Sequence, residues 1–433
     1  MRETTLREIL LDSRDGEWGK GELATGRVKM RVIRGTDFPD VRQGNFQRVP
    51  VRYLEQKHAD RKRLRQDDIL IETAGGTADR PTGRTLLVTR RVLDALGSDI
   101  TCASFARFLR INKDSAEPQF VFWLLQHHYA QRNLRQFHLQ HTGVARFQFT
   151  TFADTFPLQL PEREQQRRIA SILGAYDDLI DVNRQRIGLL EEMARRLFDE
   201  WFVRFRFPAH EGHTLVDTTD GQLPLGWNFV PLGELCERIT DGSHHSPPSV
   251  EVGQMMASVK DMRDWDFDLS ECRRISNEHY EELVRNGCQP ALGDILIAKD
   301  GANLNKHTFL MWRDMPLVLL SSIAILRPPK DFEREYLVAL LKSDGMSEAI
   351  KQMKSGAAIP RIVLRDFKRL RVVVPPRNLR QAFHSLAGPM HELIRRITIA
   401  NDQLVQSRDL LLPRLISGKV AISTAEDELE AVA

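Results

Sequence analysis

The sequence has little cysteine, no long apolar run and almost no excess of charge. Its 433 residues include four cysteines, Cys102, Cys236, Cys272 and Cys288, which are too few and too irregularly spaced for a disulfide framework. We therefore expect reduced thiols and a cytoplasmic protein. The longest apolar run, 317–326, contains two serines and falls short of the roughly 20 residues that span a bilayer. With 62 Lys and Arg against 59 Asp and Glu, the net charge is +3, so a polyanion would have to be bound by local clusters.

Several catalytic motifs are also absent. Gly418-Lys419 is followed by Val420 and lacks the spaced upstream glycine of a phosphate-binding loop. The sequence has no Asn-Pro-Pro-aromatic or Asp-Pro-Pro-aromatic segment for a flipped base, and no strand is followed by G-x-G-x-x-G. It also lacks H-E-x-x-H, C-x-x-C and G-x-S-x-G. We expect neither an ATPase nor a methyltransferase, no metal site and no catalytic residues.

The sequence contains an internal repeat. Residues 6–9 match 232–235, and Asp68-Ile-Leu-Ile matches Asp294-Ile-Leu-Ile, both at an offset of 226 residues. Farther on, Phe152 and Pro161 match Phe367 and Pro376 at an offset of 215, and Leu179-Ile180 matches Leu393-Ile394 at 214. The first copy therefore holds about 11 extra residues between 72 and 151. The alternative is chance similarity between common strand and helix patterns.

Each copy consists of a mixed region followed by a long helix. Short apolar runs separated by Gly and Pro turns indicate strands, with helical spacing at 118–140. Dense Glu, Arg and Leu without proline then predict a helix from 162 to about 205. We predict an α+β protein with two similar mixed α/β domains and two long helices. The boundaries are 1–156 for the first domain, 157–206 for the first helix, 207–374 for the second domain with its linker 207–222, 375–418 for the second helix, and 419–433 for an acidic, disordered tail.

Both long helices carry an apolar stripe with steps of three and four residues. The first runs from Ile169 to Trp201, and the second includes Phe383, Leu386 and Met390 and ends at Leu415. Each stripe needs a partner helix, so we predict an intramolecular antiparallel coiled coil on the order of 60 Å long with approximate two-fold symmetry. Asn183 and Asn401 lie on the stripes, where they would fix the register or simply be satisfied buried amides. DNA has local dyads, so such a pseudo-dimer would read two half-sites across an unread gap whose length the coiled coil sets.

Candidate DNA-binding residues lie in basic clusters and glycine-containing polar loops in both halves. Arginine and lysine meet phosphates, and polar loop residues read base edges where a glycine allows close approach. The alternative for each cluster is an ordinary solvated face or surface turn. The candidates are Arg34, Gly35, Thr36, Arg61, Lys62, Arg146, Gly242, Ser243, His244, His245, Lys299, Asn303 and Arg361.

Several strings resemble the specificity (S) subunits of type I restriction-modification systems. The segment 158–173, LQLPEREQQRRIASIL, followed by Asp177-Asp178-Leu-Ile and Asn183, is similar to the start of that family's first conserved helix. The string Leu223-Pro-Leu-Gly-Trp227 resembles the opening of a target recognition domain, and the later segments resemble its interior: Gly293-Asp294-Ile-Leu-Ile, Lys299-Asp300-Gly301, Ser321-Ser322 and Leu326-Arg327-Pro328. The second helix start, 375–383, lacks the Glu-Gln pair of the first, and the N-terminal domain lacks the Leu-Pro-x-Gly-Trp opening.

The resemblance implies a non-catalytic chain that binds a split double-stranded DNA sequence. It implies two methyltransferase subunits, which use S-adenosylmethionine, and motor-nuclease restriction subunits, which use ATP and Mg²⁺, with no cofactor in this chain. The outer faces of the coiled coil would dock these partners, through Arg167, Arg168, Arg184, Arg186 and Glu191.

Two other functions compete with this one. A stand-alone nuclease would hold Mg²⁺ through Asp67-Asp68 or through Asp294. A coiled-coil adaptor would bind proteins only, and it predicts no salt-dependent affinity for DNA.

Overall fold

The computed structural model describes residues 1–77, 80–140, 144–219, 221–300, 306–353 and 361–430. The chain forms two compact units. Unit 1 comprises Met1–Arg184 with Ala400–Ala433, and unit 2 comprises Gln185–Ile399. The long helices contribute to both, because each unit takes one part of each helix.

Unit 1 contains the first mixed domain. Its strands are β1 (Arg2–Thr5), β2 (Leu10–Asp15), β3 (Arg27–Ile33), β4 (Val51–Glu55), β5 (Ile69–Glu72), β6 (Thr85–Leu87), β7 (Ile100–Cys102), β8 (Ala106–Ile111), β9 (His138–Leu139), β10 (Arg146–Phe147) and β11 (Pro157–Leu160). Its helices are α1 (Leu6–Ile9), α2 (Phe38–Arg42), α3 (Gln56–Lys62), α4 (Arg90–Leu96), α5 (Pro118–Ala130), α6 (Phe149–Thr155) and the first part of α7 (Arg163–Phe198). Short 3-10 turns form at Gly35–Asp37 and Asn133–Phe137.

Unit 2 contains the second mixed domain. A π-helical turn at Asp199–Val203 follows α7, and a 3-10 turn lies at His210–Gly212. The strands are β12 (Leu215–Thr218), β13 (Gly221–Pro224), β14 (Asn228–Pro231), β15 (Arg238–Asp241), β16 (Gln254–Ala257), β17 (Arg274–Ile275), β18 (Ile295–Ala298), β19 (Thr308–Leu310), β20 (Leu317–Leu319), β21 (Ile323–Arg327) and β22 (Arg371–Val374). The helices are α8 (Leu232–Leu235), α9 (Asn277–Arg285), α10 (Arg334–Lys342), α11 (Asp344–Gln352), α12 (Leu364–Arg369) and the first part of α13 (Arg377–Ile416). The last helix, α14 (Ile422–Glu430), belongs to unit 1.

Three sheets of unit 1 recur in unit 2 with the same topology, whereas the pairs β9-β10 and β12-β13 each occur in one unit. Unit 1 has an antiparallel four-stranded sheet in the order β2-β8-β5-β6, a three-stranded sheet β4-β3-β7 in which β3 and β7 are parallel, and the antiparallel pair β1-β11. Unit 2 repeats these as β15-β21-β18-β19, β17-β16-β20 with β16 and β20 parallel, and β14-β22. The internal repeat predicted from the sequence is therefore a repeat of structure, and the α+β prediction is confirmed.

The central strands β5 and β18 are buried on both faces, which explains their continuous apolar sequences. Successive side chains of a strand point to opposite faces. Ile69 and Ile71 accordingly join the core beneath α5, whereas Leu70 joins a second core on the other face. In unit 2, Ile295 and Ile297 likewise join one core and Leu296 another.

The long helices pair in an antiparallel coiled coil. In unit 1, the Asn183 Nδ2 amide donates to Asn401 Oδ1 at 2.9 Å, and Asp177, earlier on α7, meets Arg408, later on α13. In unit 2, Phe198 of α7 packs against Phe383 of α13, with 6.0 Å between ring centroids. The predicted pairing and its stripe are confirmed, with Ile169, Ile172, Tyr176, Ile180, Leu404, Leu411 and Leu415 buried in unit 1.

Three details differ from the sequence predictions. Residues 157–160 form strand β11, and α7 begins only at Arg163. Leu386 is 47% exposed, because Phe383 and Ala387 take the buried positions on that turn of α13. The tail was predicted to be disordered, but 422–430 is helical because its apolar residues pack on the core of unit 1. Within the described residues, no helix has both the length and the apolarity to cross a membrane.

Candidate nucleic-acid interface

The two acids considered as Mg²⁺ ligands occupy matched structural positions. Asp68, just before β5, accepts hydrogen bonds from Arg110 Nε at 2.8 Å and Nη2 at 2.7 Å. Asp294, just before β18, accepts the same pair from Arg327, both at 2.7 Å. Both carboxylates are 1% exposed and also accept a backbone N–H. The described residues contain no cluster of three His, Cys, Asp or Glu that could hold a metal. These acids clamp neighbouring strands, which does not favour the nuclease alternative.

Gly242, a candidate for close approach to DNA, is held close to the protein backbone instead. A Cβ on Gly242 would lie 2.1 Å from the carbonyl oxygen of Leu319, and one on its repeat mate Gly16 would lie 2.1 Å from that of Cys102. Beside Gly242, the buried Ser243 hydroxyl bonds to the backbone of His245 in both directions. The glycine is thus required where β15 ends against β20, as Gly16 is where β2 ends against β7.

The two histidines after Ser243 are exposed. His244 Nε2 lies 3.3 Å from Asp241 Oδ2, and the ring of His245 lies 6.5 Å from that of His279 on α9. In the predicted loop 241–245, the two histidine rings are therefore the groups accessible to a ligand.

The loop predicted in unit 1, residues 34–36, is held by several hydrogen bonds. Arg34 donates to Asp37 from its backbone, Nε and Nη2, and this carboxylate raises the pKa of the Arg34 guanidinium. The buried Gly35 offers its carbonyl oxygen to Arg84 Nη2 at 2.8 Å. Thr36 is exposed on the same 3-10 turn. The loop therefore presents a threonine on a turn whose arginine is already paired.

Among the DNA-binding candidates, Lys299 is buried and its charge is paired with carboxylates within unit 2. It is 5% exposed, and its Nζ lies 3.3 Å from Asp241 Oδ2 and 3.4 Å from Asp300 Oδ1. Its carbonyl oxygen accepts the backbone N–H of Ile362, next to the exposed Arg361. The structure thus joins the 299–300 and 361–362 segments, while Asn303 lies outside the described residues.

Two predicted cations of unit 1, Arg61 on α3 and Arg146 on β10, are exposed. Their side chains make no ion pair or hydrogen bond among the described residues. Lys62, by contrast, donates to Glu17 at 2.9 Å and to the Gly16 carbonyl at 3.3 Å. Arg61 lines an open concavity together with Arg14 and Arg107. Arg14 and Arg107 are not among the residues predicted from the sequence. No local signal identifies those two residues, because only the pairing of β2 with β8 brings them beside α3.

The residues predicted to dock partners differ in availability. Arg167 and Arg186 are exposed, and Arg186 has no partner among the described side chains. Arg168 donates to Glu426 of α14 at 3.0 and 2.6 Å. Arg184 is half-buried beside Asp181, and burial lowers the pKa of its guanidinium. Glu191 accepts the indole N–H of Trp265.

Comparison with known proteins finds similarity to one family. The family model described as "Type I restriction modification DNA specificity domain" matches residues 26–192. The MjaIX specificity subunit of Methanocaldococcus jannaschii is 26% identical over 265 residues, which cover 60% of this chain and 60% of that subunit. The HindI specificity subunit of Haemophilus influenzae is 22% identical, with 71% and 79% covered.

A solved structure has the same fold. The crystal structure of the S subunit of a type I restriction-modification system from M. genitalium superposes with a TM-score of 0.56 at 14% identity, over 96% of this chain and 95% of that chain. A duplicated α+β domain joined to paired long helices is thus found both here and there. The superposition shows a shared fold, and the sequence matches show that this chain is similar to the specificity subunits of type I restriction-modification systems, with the DNA specificity domain matched over 26–192.

Proposed function

We propose that this chain reads a two-part DNA sequence, one part through each mixed domain. The supporting observation is the duplicated sheet topology, in which the strands and clamps match while the segments between them differ. Equivalent scaffolds that carry different loops are suited to reading two different half-sites. The coiled coil would set the gap between the half-sites, so one added helical turn in both helices should change the gap and leave each half-site unchanged.

In this proposal the chain supplies recognition and no chemistry. Methyltransferase subunits would bring S-adenosylmethionine, and restriction subunits would bring ATP and Mg²⁺. The exposed Arg167 and Arg186 on α7 are the predicted docking residues that remain most accessible to such partners. The pairing of Asp68 and Asp294 with arginines supports a chain without a metal centre of its own.

Arg61 and Arg146 are the best placed of the predicted residues to meet phosphates, since neither guanidinium is neutralised by a described neighbour. Each phosphate contact contributes about 0.9 to the slope of log affinity against log salt. Arg61→Ala and Arg146→Ala should each reduce that slope by about 0.9, whichever DNA sequence is bound. Arg396→Ala, at an exposed position of α13 where the arginine pairs with Glu392, is the control and should leave the slope unchanged.

A map of modified bases in the host genome, with and without the gene, tests the whole proposal. We expect an adenine-methylated motif of two parts and a fixed gap to vanish on deletion. An unchanged map, together with DNA affinity that does not depend on salt in the purified complex, would favour the protein-binding adaptor instead.

A further inference from the structure

Each unit has a groove where its mixed domain meets the paired long helices, and the repeat relates the two grooves residue by residue. On the long helices, Asp177 corresponds to His391 and Arg408 to Ala194, each pair 214 residues apart. In unit 1 Asp177 meets Arg408, and in unit 2 His391 and Ala194 line one cavity, which supports the alignment.

In unit 1 two guanidinium groups lie in the groove, beside cavities of about 410 and 320 Å³. Arg408, 9% exposed, pairs with Asp177 and lies 5.8 Å from the ring centroid of Trp123 on α5. Arg42 of α2 lies 5.3 Å from the same ring and donates to Gln126 Oε1 at 3.2 Å and to Asp177 Oδ2 at 3.4 Å. A tryptophan face and a carboxylate therefore hold the cations.

In unit 2 the groove is a cavity of about 380 Å³. The position of Arg408 is taken by Ala194, and the position of Trp123, on the helix matching α5, is taken by Ala339. An aromatic face is nevertheless present, because Trp265, from the segment after β16, lines the cavity with Lys342 Nζ 4.6 Å from its ring centroid. The carboxylate of Glu191 fixes the indole by accepting its N–H.

A buried polar side chain in the cavity has no hydrogen-bond partner. His391 is 5% exposed, and its ring lies 5.0 Å from that of Trp265 at an interplanar angle of 57°, yet neither ring nitrogen is bonded to any described residue. Burial lowers the pKa of His391 to about 4, so the ring is neutral at pH 7 and free to accept. The ring nitrogens remain accessible from the cavity, where a hydrogen-bond donor from outside can reach them.

The charge of the cavity favours a cation. Its lining carries four carboxylates and two cationic side chains, Arg195 and Lys342. Arg195 binds two of the carboxylates and His307 contacts a third, so the carboxylates outnumber the cations but are partly paired. The carboxylates belong to Glu191, Glu192, Asp199 and Asp264. Planar guanidinium groups stack on aromatic faces and donate several hydrogen bonds, as Arg408 does in the matched groove.

We infer that the unit 2 groove between Ala194, Trp265 and His391 binds an arginine side chain of a methyltransferase subunit, in the place that Arg408 fills internally in unit 1. The guanidinium would stack against Trp265, donate to His391 and bring a positive charge to a lining in which carboxylates outnumber cations. The choice of partner rests on the proposed function, whereas the cation site rests on the cavity alone.

The site is tested first on the whole chain with N-acetylarginine amide. The indole N–H signal of Trp265, assigned by its loss in Trp265→Phe, should shift with millimolar probe. Neutral N-acetylcitrulline amide should shift it at least about tenfold less at equal concentration, since it lacks the charge. Equal responses to the two probes, or none, would overturn the cation site.

Two variants act in opposite directions. Ala194→Arg recreates the internal arginine and should abolish the probe response, whereas His391→Asp recreates the carboxylate of Asp177 and should tighten probe binding several-fold. Met193→Arg, on the exposed neighbouring position, is the matched control and should change nothing. If Ala194→Arg does not fold, a weakened or unchanged response in His391→Asp still refutes the site.

The partner is tested in the assembled complex. Ala194→Arg should weaken association with the methyltransferase subunits at least about tenfold, a change of about 1.4 kcal/mol, and Met193→Arg should not. Probe binding with undisturbed assembly would show that this partner is not the occupant. Genome methylation that depends on the chain, combined with no probe binding, would reject the groove and leave the proposed function standing.

Discussion

Replacing Asp68 by Asn should destabilise unit 1 far more than replacing Asp294 by Asn destabilises unit 2. The Asp68 carboxylate binds Arg110 through two hydrogen bonds, and the arginine side chain is only 14% exposed. The amide removes the charge and turns one acceptor into a donor that faces the guanidinium. Leaving a buried ion without its partner costs about 3–5 kcal/mol. For Asp294→Asn we expect about 2 kcal/mol, because Arg327 is 34% exposed and water can solvate it.

Hydrogen exchange measured by mass spectrometry resolves the two sites within one chain. Peptides over β5 report on Asp68 and peptides over β18 on Asp294, so each unit serves as the internal reference for the other. Asp67→Asn is the matched control, since Asp67 pairs with the exposed Lys113 and should cost no more than about 1 kcal/mol. Asn also tolerates the positive φ of 69° at that position.

One pattern of results would refute this reasoning. If Asp68→Asn left exchange in β5 unchanged but abolished a Mg²⁺-dependent cleavage of DNA, the carboxylate would be a metal ligand and the clamp would be incidental. Equal losses of stability for Asp67→Asn and Asp68→Asn would show that the burial of an aspartate–cation pair does not determine how much the pair stabilises the unit.

Three further perturbations have defined outcomes. Gly16→Ala and Gly242→Ala should each cost about 2–3 kcal/mol in urea unfolding, because a methyl group meets a carbonyl oxygen that cannot move aside. Asn183→Leu should cost about 1 kcal/mol in thermal melting by leaving the Asn401 amide unpaired, and adding Asn401→Leu should recover the loss; a further loss would contradict an isolated amide pair. The pKa of His391, lowered by burial to about 4, lies below its unfolded value near 6.5, so the unfolded chain binds the proton first as pH falls. Stability should drop by up to about 3 kcal/mol between those pH values, and in His391→Phe this drop should disappear.

The scaffold was predictable from the sequence because it depends on periodic and repeated signals. The Asp-Ile-Leu-Ile strings at Asp68 and Asp294 mark the central strands, and the stripe through Ile169 and Tyr176 marks the paired helices. The offset of the repeat does not show which side chain each aspartate contacts. Asp68 faces an arginine about 40 residues later and Asp294 faces one about 30 residues later, and both contacts depend on strand register.

The candidate interface was less predictable because similar residue types have different roles at different depths. Lys299 and Arg61 look equally basic in the sequence, but the first is enclosed by Asp241 and Asp300 and the second is exposed. Burial of a charge depends on which strands pass over it, which no local pattern encodes. Helix α14 was missed for the same reason, since its acidic sequence hides the few apolar residues that meet unit 1.

The differences between the two copies separate what holds the fold from what serves a partner. The glycines at 16 and 242 and the two Asp–Arg clamps recur because each meets backbone or charge inside its own unit. At the junction with the long helices the copies diverge, since Arg408 binds Asp177 in one groove and Ala194 takes the matching position in the other. If the inferred ligand occupies the unit 2 cavity, filling that cavity with Ala194→Arg should raise the melting temperature of the isolated chain while impairing the assembled complex.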